Sequence, residues 1–253
     1  MPAGIFFERA FCARILRACR LNVHAQWLSE SAGAFEDSLP RLTRDSLSVR
    51  IVRKSFRNHS DGGTMRVTAG TLRGRRLSAG RGRRIRPTSG LVREAIFNLL
   101  QDKIRGAEVL DLFAGAGALG IEALSRGARL AVFVDSSKTA MQTIERNLER
   151  LGLSGSGRVF CCDARKAMRT LSQNGERFRV VFMDPPYGKG LAQESLQAIA
   201  QESILSPGAI VVVEHGRREQ IEDPSGILLL RTSKRYGDTQ VSVFTAVTQG
   251  GTG

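Results

Sequence analysis

The stretch VLDLFAGAGALGIEALSRGA (residues 109–128) decides the fold. It begins as an apolar strand reaching Asp111 and turns through Gly115, Gly117 and Gly120, spaced G-x-G-x-x-G. It then continues as a run with helical spacing. A strand covered on both faces of a parallel sheet reads as a nearly continuous apolar run. AEVLDLF before the glycines has that character, and so does RVVFMD (179–184) further on. Working outward, strand-like runs fall near 107–112, 130–134, 157–162, 179–183, 209–213, 227–231 and 241–246. Helical runs fall near 118–126, 137–151, 164–172 and 191–204. Strands alternating with helices predict an α/β, doubly wound sheet with its site at the carboxyl ends of the strands.

Acidic residues mark those strand ends. By pattern alone the glycine turn, with Asp135 closing the next strand, would suit a dinucleotide. Asp111, however, puts a carboxylate where a pyrophosphate would lie, and like charges repel. A ligand carrying a sulfonium and an ammonium but no phosphate, S-adenosyl-L-methionine, suits that carboxylate instead. Phe113, Ala114, Gly115 and Gly117 then form the wall of the cofactor site. Asp135 is placed to accept from ribose hydroxyls. Cys162-Asp163-Ala164 ends the third strand, so Asp163 either accepts from the adenine amino group or simply caps the next helix, with Ala164 beside it.

After RVVFM comes Asp184-Pro185-Pro186-Tyr187. Two prolines remove two N–H donors, so the turn presents acceptors. The Asp184 carboxylate and the Pro185 carbonyl at fixed spacing can hold both hydrogens of an NH2 group. The lone pair of an aromatic exocyclic amine is delocalised into its ring, and such holding turns it toward a methyl donor; positioning then supplies most of the catalysis. Tyr187 is expected to stack on a base drawn out of its helix.

The chain has 253 residues and a formal charge of +14, an excess that favours a polyanionic partner. Residues 66–86 hold Arg66, Arg73, Arg75, Arg76, Arg81, Arg83, Arg84 and Arg86 among glycines, with no acid. Planar guanidinium forks match phosphate oxygens, so this arm (65–88) is expected to touch nucleic acid; the alternative is a solvated basic hairpin. Pro87-Thr88-Ser89 follows, with Thr88 or Ser89 capping a helix whose stripe is Leu91, Val92, Ala95, Ile96, Leu99 and Leu100. Four cysteines without a CxxC pair and three scattered histidines predict neither a metal site nor a disulfide framework, and a reducing compartment. No apolar run is long enough to span a membrane. Residues 1–64 show no element leading into the later fold and are expected to be a disordered extension or an over-long start, with an amphipathic targeting peptide at 5–28 as the alternative. Residues 89–247 are expected to form the catalytic domain.

MRVTAGTLRGRRL (65–77), RPTSGLVREAIFNLL (86–100), VLDLFAGAGALGIEALSRGA (109–128), FMDPPY (182–187) and KRYGDTQVSVF (234–244) together resemble the bacterial 16S rRNA guanine-N2 methyltransferases. The glycine turn and DPPY point to the wider class of amino-methyltransferases, while the RPT and KRYGDT blocks narrow it. The resemblance implies a Rossmann-like, seven-stranded, mostly parallel sheet with an antiparallel last strand. It also implies S-adenosyl-L-methionine as cofactor and methylation of a guanine N2 amine in 16S rRNA, within a small ribosomal subunit assembly intermediate. A cytoplasmic monomer is expected. Arg86, Pro87, Thr88, Tyr236 and Gly237 carry over as substrate-side residues. One departure is Asp135, where the family commonly has Glu. A DNA adenine-N6 methyltransferase, a nicotinamide dehydrogenase and a non-catalytic RNA-binding assembly factor are the competing readings. The first lacks a recognition domain, the second leaves Asp111 and DPPY unexplained, and an intact DPPY argues against the third.

Overall fold

The computed structural model describes residues 64–79, 90–222 and 226–247. Residues 1–63 of the expected extension, and Arg81, Arg83, Arg84, Arg86, Pro87, Thr88 and Ser89, lie outside the described residues.

A short antiparallel hairpin comes first, β1 (Thr64–Arg66) and β2 (Arg76–Ser78), with Arg66 opposite Arg76. Helix α1 (Gly90–Leu100) follows and buries Val92, Ile96, Phe97 and Leu100; of the expected stripe Leu91 is exposed and Ala95 and Leu99 are half-buried, and Phe97 takes the core place instead. The repeating part is β3 (Glu108–Leu112), α2 (Ala118–Ser125), β4 (Leu130–Asp135), α3 (Lys138–Leu151), β5 (Gly157–Cys161), α4 (Ala164–Gln173), β6 (Phe178–Met183), α5 (Leu191–Gln201) and β7 (Leu205–Gly216). It closes with β8 (Leu228–Tyr236) and β9 (Thr239–Ala246). The seven-stranded sheet has the order β5-β4-β3-β6-β7-β9-β8. Its first five members pair in parallel, and β9 lies antiparallel to both β7 and β8. The doubly wound sheet with an antiparallel last strand is therefore present.

Alternation along the strands assigns the two faces. Leu110, Leu112, Val181, Met183, Val211 and Val213 pack under α4 and α5, joined by Met168, Leu171, Leu196 and Ile199. Val109, Val180, Phe182, Val212, Val241 and Val243 pack under α1. Phe133 and Ala131 meet Ile121, Ile144 and Leu148 of α2 and α3, and the hairpin adds Val67 and Leu77 there. Helix α3 buries Met141, Ile144, Leu148 and Leu151, the i, i+3, i+7 stripe of a helix on a sheet. Its ends are set by the Ser137 side chain, which accepts from Ala140 N, and by Gly152 in the left-handed region.

Two strands run further than their apolar runs suggested. Strand β7 extends back to Leu205, which pairs with Phe178 across a register shift. Strand β8 continues through Thr232, Ser233, Lys234 and Arg235 because it is a sheet edge: of its residues only Leu228 is buried, so no apolar pattern is demanded.

Candidate active site

Parallel pairing of β3 with β6 sets Leu112 beside Met183, and the Asp184 amide approaches the Leu112 carbonyl at 3.5 Å. The glycine turn and the proline turn thus leave the sheet side by side, about one strand spacing, ~4.8 Å, apart.

The glycine turn is organised from inside. Asp111 is 2% exposed, and its Oδ2 accepts from the Gly120 amide at 2.9 Å in the first turn of α2. Burial pushes its pKa up to about 7; the Gly120 hydrogen bond opposes the shift and the charge of Asp135 adds to it. No lysine or arginine pairs with Asp111 among the described residues. A desolvated carboxylate without a counter-charge favours a cationic ligand. Asp135, half-buried, accepts from Gly115 N at 2.9 Å and from Ser137 N at 2.8 Å. It therefore clasps the glycine turn to the start of α3 while keeping lone pairs for a further donor. Gly117 N donates to the Ala114 carbonyl at 2.7 Å, and Ala114 N to the Val134 carbonyl at 3.0 Å. A side chain on Gly120 would put a Cβ 2.3 Å from the Phe133 ring, whereas one on Gly115 would meet open space. Phe113 sits at φ 64°, a left-handed conformation unusual for a bulky residue and placed at the mouth of the turn. Asp163 caps α4, its Oδ1 accepting from Arg165 N at 2.9 Å, and the carboxylate is exposed. Ala164 is buried beneath it.

The proline turn is held from outside. Pro185 is buried and Asp184 half-buried. The Tyr187 hydroxyl donates to Glu214 Oε1 at 2.8 Å and lies 3.1 Å from Thr239 Oγ1. Burial pushes the Tyr187 pKa up, with the charge of Glu214 adding to the shift. Glu219 accepts from Gly188 N at 2.8 Å and from Gly216 N at 2.7 Å, fastening the turn to the end of β7. His215, next to Glu214 on β7 and directed to the other face of the sheet, is buried, its Nε2 2.9 Å from Ser242 Oγ; burial lowers its pKa. Glu214 and Glu219 escaped the sequence reading. The available signal was IVVVE (210–214), another apolar strand ending in an acid, as at Asp111 and Asp135.

The basic hairpin docks on α2 and α3. Glu122 of α2 accepts from Thr68 N at 2.8 Å, Thr68 Oγ1 at 2.7 Å and Ala69 N at 2.9 Å. Buried Arg93 of α1 joins the same carboxylate at 3.4 Å and reaches the Arg66 carbonyl. Thr71 N donates to the Ser125 carbonyl at 2.8 Å, and Arg75 donates to the Arg150 carbonyl at 3.3 Å. Ser125 and Arg150 lie at the C-terminal ends of α2 and α3, away from the carboxyl edge of the sheet. Gly70 is needed for this docking: a Cβ there would lie 2.0 Å from the Ser125 oxygen. Its close approach is to the protein itself. Arg66, Arg73, Arg75 and Arg76 are exposed. Ser78 is joined to the glycine turn through buried Asn147, whose Nδ2 donates to the carbonyls of Ser78 and Ala116 at 3.0 Å each. Tyr236 is half-buried against the α1 face, opposite Thr239 in the register. Among the described residues no helix is long and apolar enough to cross a membrane.

A family model described as "Conserved hypothetical protein 95" matches residues 65–245. The Ribosomal RNA small subunit methyltransferase D of Escherichia coli (strain K12) is 39% identical over 157 residues, 62% of this chain and 77% of that protein. Its namesake in Haemophilus influenzae is 34% identical over 169 residues, 67% of this chain and 88% of that one. A solved Escherichia coli structure, yhhF, superposes with a TM-score of 0.65 at 33% identity, covering 74% of this chain and all 100% of that one. The RNA methyltransferase of Salinibacter ruber, solved with S-adenosyl-L-homocysteine, shares the fold at 18% identity and a TM-score of 0.51, over 64% of this chain and 95% of that one. By model match and by identity, this chain belongs to the Conserved hypothetical protein 95 family, together with the small-subunit methyltransferases D.

Proposed function

We propose that this protein transfers a methyl group from S-adenosyl-L-methionine to the exocyclic N2 amine of a guanine in 16S rRNA. The observation that carries the reading is the adjacency of the two turns: β3 and β6 deliver the glycine turn with its buried carboxylate and the DPPY turn to the same edge, in register. Relatives named for small-subunit rRNA methylation support the substrate class.

When bound, the cofactor supplies a methyl group on a cationic sulfur. Everything else falls to the chain. Asp111, desolvated and without a counter-charge, favours the cationic part of the ligand. Asp135 accepts from the ribose hydroxyls with lone pairs that Gly115 and Ser137 leave free, and Asp163 does the same for the adenine amine beside Ala164. The Asp184 carboxylate and the Pro185 carbonyl accept one hydrogen each from the guanine amine. This holds its nitrogen in line with the methyl, and Asp184 accepts the proton that the amine sheds. Tyr187, its hydroxyl fixed on Glu214, offers its ring as a platform for the extruded base.

Incubation with labelled S-adenosyl-L-methionine and naked 16S rRNA, immature small subunits or DNA, followed by nucleoside analysis, tests this. N2-methylguanosine from the ribosomal samples is expected. N6-methyladenine in DNA would keep the chemistry and overturn the substrate. Asp184→Ala should lose at least about a hundredfold in transfer, as expected where positioning supplies the rate, while RNA binding persists; retained transfer would sink the role given to Asp184.

A further inference from the structure

We infer that the rim formed by the turn after β7 and the β8–β9 turn is a second cationic surface that grips RNA phosphates next to the target base; this rests on the RNA-methylating reading above. The rim carries Arg217 and Arg218 directly after Gly216, and Lys234 and Arg235 at the end of β8, all four exposed. Strand β9 is antiparallel to β7, with Gly216 opposite Thr239, so the β8–β9 turn reaches the same edge of the sheet as the DPPY turn. The two rim turns are joined by Arg217 N, which donates to the Asp238 carbonyl at 3.1 Å, while Arg235 Nε donates to the Gly237 carbonyl at 2.9 Å within the β8–β9 turn itself.

Three features point this surface at a polyanion beside the site. First, Thr239, which follows the turn, lies 3.1 Å from the Tyr187 hydroxyl, so the rim and the base platform share an anchor. Second, two of the acids on these segments are turned inward, which leaves four exposed cations against the exposed Asp238 of the β8–β9 turn. Glu214 is 5% exposed and holds Tyr187, and Glu219 is occupied by two backbone amides. Third, none of the four cations forms an ion pair with a carboxylate among the described residues. The hairpin arginines serve this purpose less well. Arg73 and Arg75 sit by the far ends of α2 and α3, and α2 alone spans about 12 Å at 1.5 Å per residue. A nucleotide swung out of its stack needs its flanking phosphates held close to the pocket, and the rim offers that hold.

The test compares the wild type with R217Q/R218Q and K234Q/R235Q over a range of salt, on whichever of naked 16S rRNA and immature small subunits the wild type methylates. Each pair should lower the slope of log K against log salt by about 1.4–1.8, at 0.7–0.9 per lost contact. The KM for RNA should rise several-fold, while kcat at saturating RNA, cofactor affinity and melting temperature stay at wild-type values. An unchanged slope in both pairs, or a fall in kcat with KM unmoved, overturns the inference. The two failures separate cleanly: a wild type that methylates no RNA removes the reading beneath it, whereas a methylating wild type with indifferent rim variants removes this inference alone.

Discussion

The two turns that meet at the carboxyl edge are held in opposite ways. The glycine turn is fixed by its own neighbourhood, because Asp111, Gly115, Gly120 and Asp135 bond one another within a single βαβ unit. The proline turn is fixed by strangers to its own segment: Glu214, Glu219 and Thr239 reach it from the end of β7, the following turn and the start of β9. A site for a cofactor of constant shape can be written in one contiguous stretch. A site that must present acceptors and an aromatic face to a macromolecule is instead set by the parts of the fold that surround it. Cofactor affinity should therefore answer to the first set of residues and turnover to the second.

The harshest way to break the local half is Gly120→Ala. The added Cβ would fall 2.3 Å from Phe133 Cε1 and 2.8 Å from Cζ, and Phe133 is itself fully buried. Overpacking of this kind costs about 3 kcal/mol, and the displaced Gly120 amide also leaves Asp111. Thermal or urea unfolding should register the loss, together with cofactor binding too weak to saturate. Adding Phe133→Leu should recover part of the stability, a coupling that a double-mutant cycle isolates. Strict additivity would mean that the ring is not the obstacle.

Asp111→Asn is gentler, and its sign depends on pH. The carboxyl is pushed from 3.8 up to about 7, so the folded state holds this proton more tightly than the unfolded chain does. Its contribution to stability is full below pH 3.8 and is lost as pH rises through about 7. In the ligand-free protein the uncharged Asn should therefore be no less stable than Asp above that pH. Cofactor affinity should move the other way, because a cationic ligand needs the ionised carboxylate. In the wild type, affinity should climb about tenfold per pH unit below 7 and then level off, with one proton released on binding. Asn should bind about 10–100-fold more weakly and release none. Titration calorimetry in two buffers of different ionisation heat reads both quantities, and proton release that survives in the Asn variant would relocate the titrating group.

Legibility in the sequence follows the same division. The parallel strands announced themselves because burial on both faces forces apolar runs, and their terminal acids stood out against them. Strand β8 was half visible: as an edge it keeps its pairing through Thr232–Arg235 without an apolar pattern. Asp111, Asp135 and Asp184 lie where the motifs put them. The anchors of Tyr187 were hidden because a contact spanning 27 residues, as with Glu214, is specified by sheet order, and no local pattern encodes sheet order. The place of the basic arm was not legible. A run of arginines and glycines suggests a surface, but the docking of Thr68–Leu72 on α2 depends on Glu122 and Ser125, more than fifty residues away.

The mildest change, Tyr187→Phe, sharpens the comparison most. It keeps the ring for stacking and deletes only the hydroxyl that ties the ring to Glu214 and Thr239. Removing a donor from a buried carboxylate costs about 1–2 kcal/mol, so a small drop in melting temperature is expected, with cofactor affinity unchanged because no glycine-turn contact is touched. Turnover should fall several-fold at saturating RNA, since the platform loses its fixed pitch and near-attack geometry tolerates little displacement. Glu214→Gln keeps an acceptor for the hydroxyl and should do less harm than Tyr187→Phe. The double variant should do little more than Tyr187→Phe alone, because both changes act on one hydrogen bond. Additive losses would mean that Glu214 holds the proline turn through contacts other than Tyr187. A fall in cofactor affinity in either variant would mean that the two turns are not held independently.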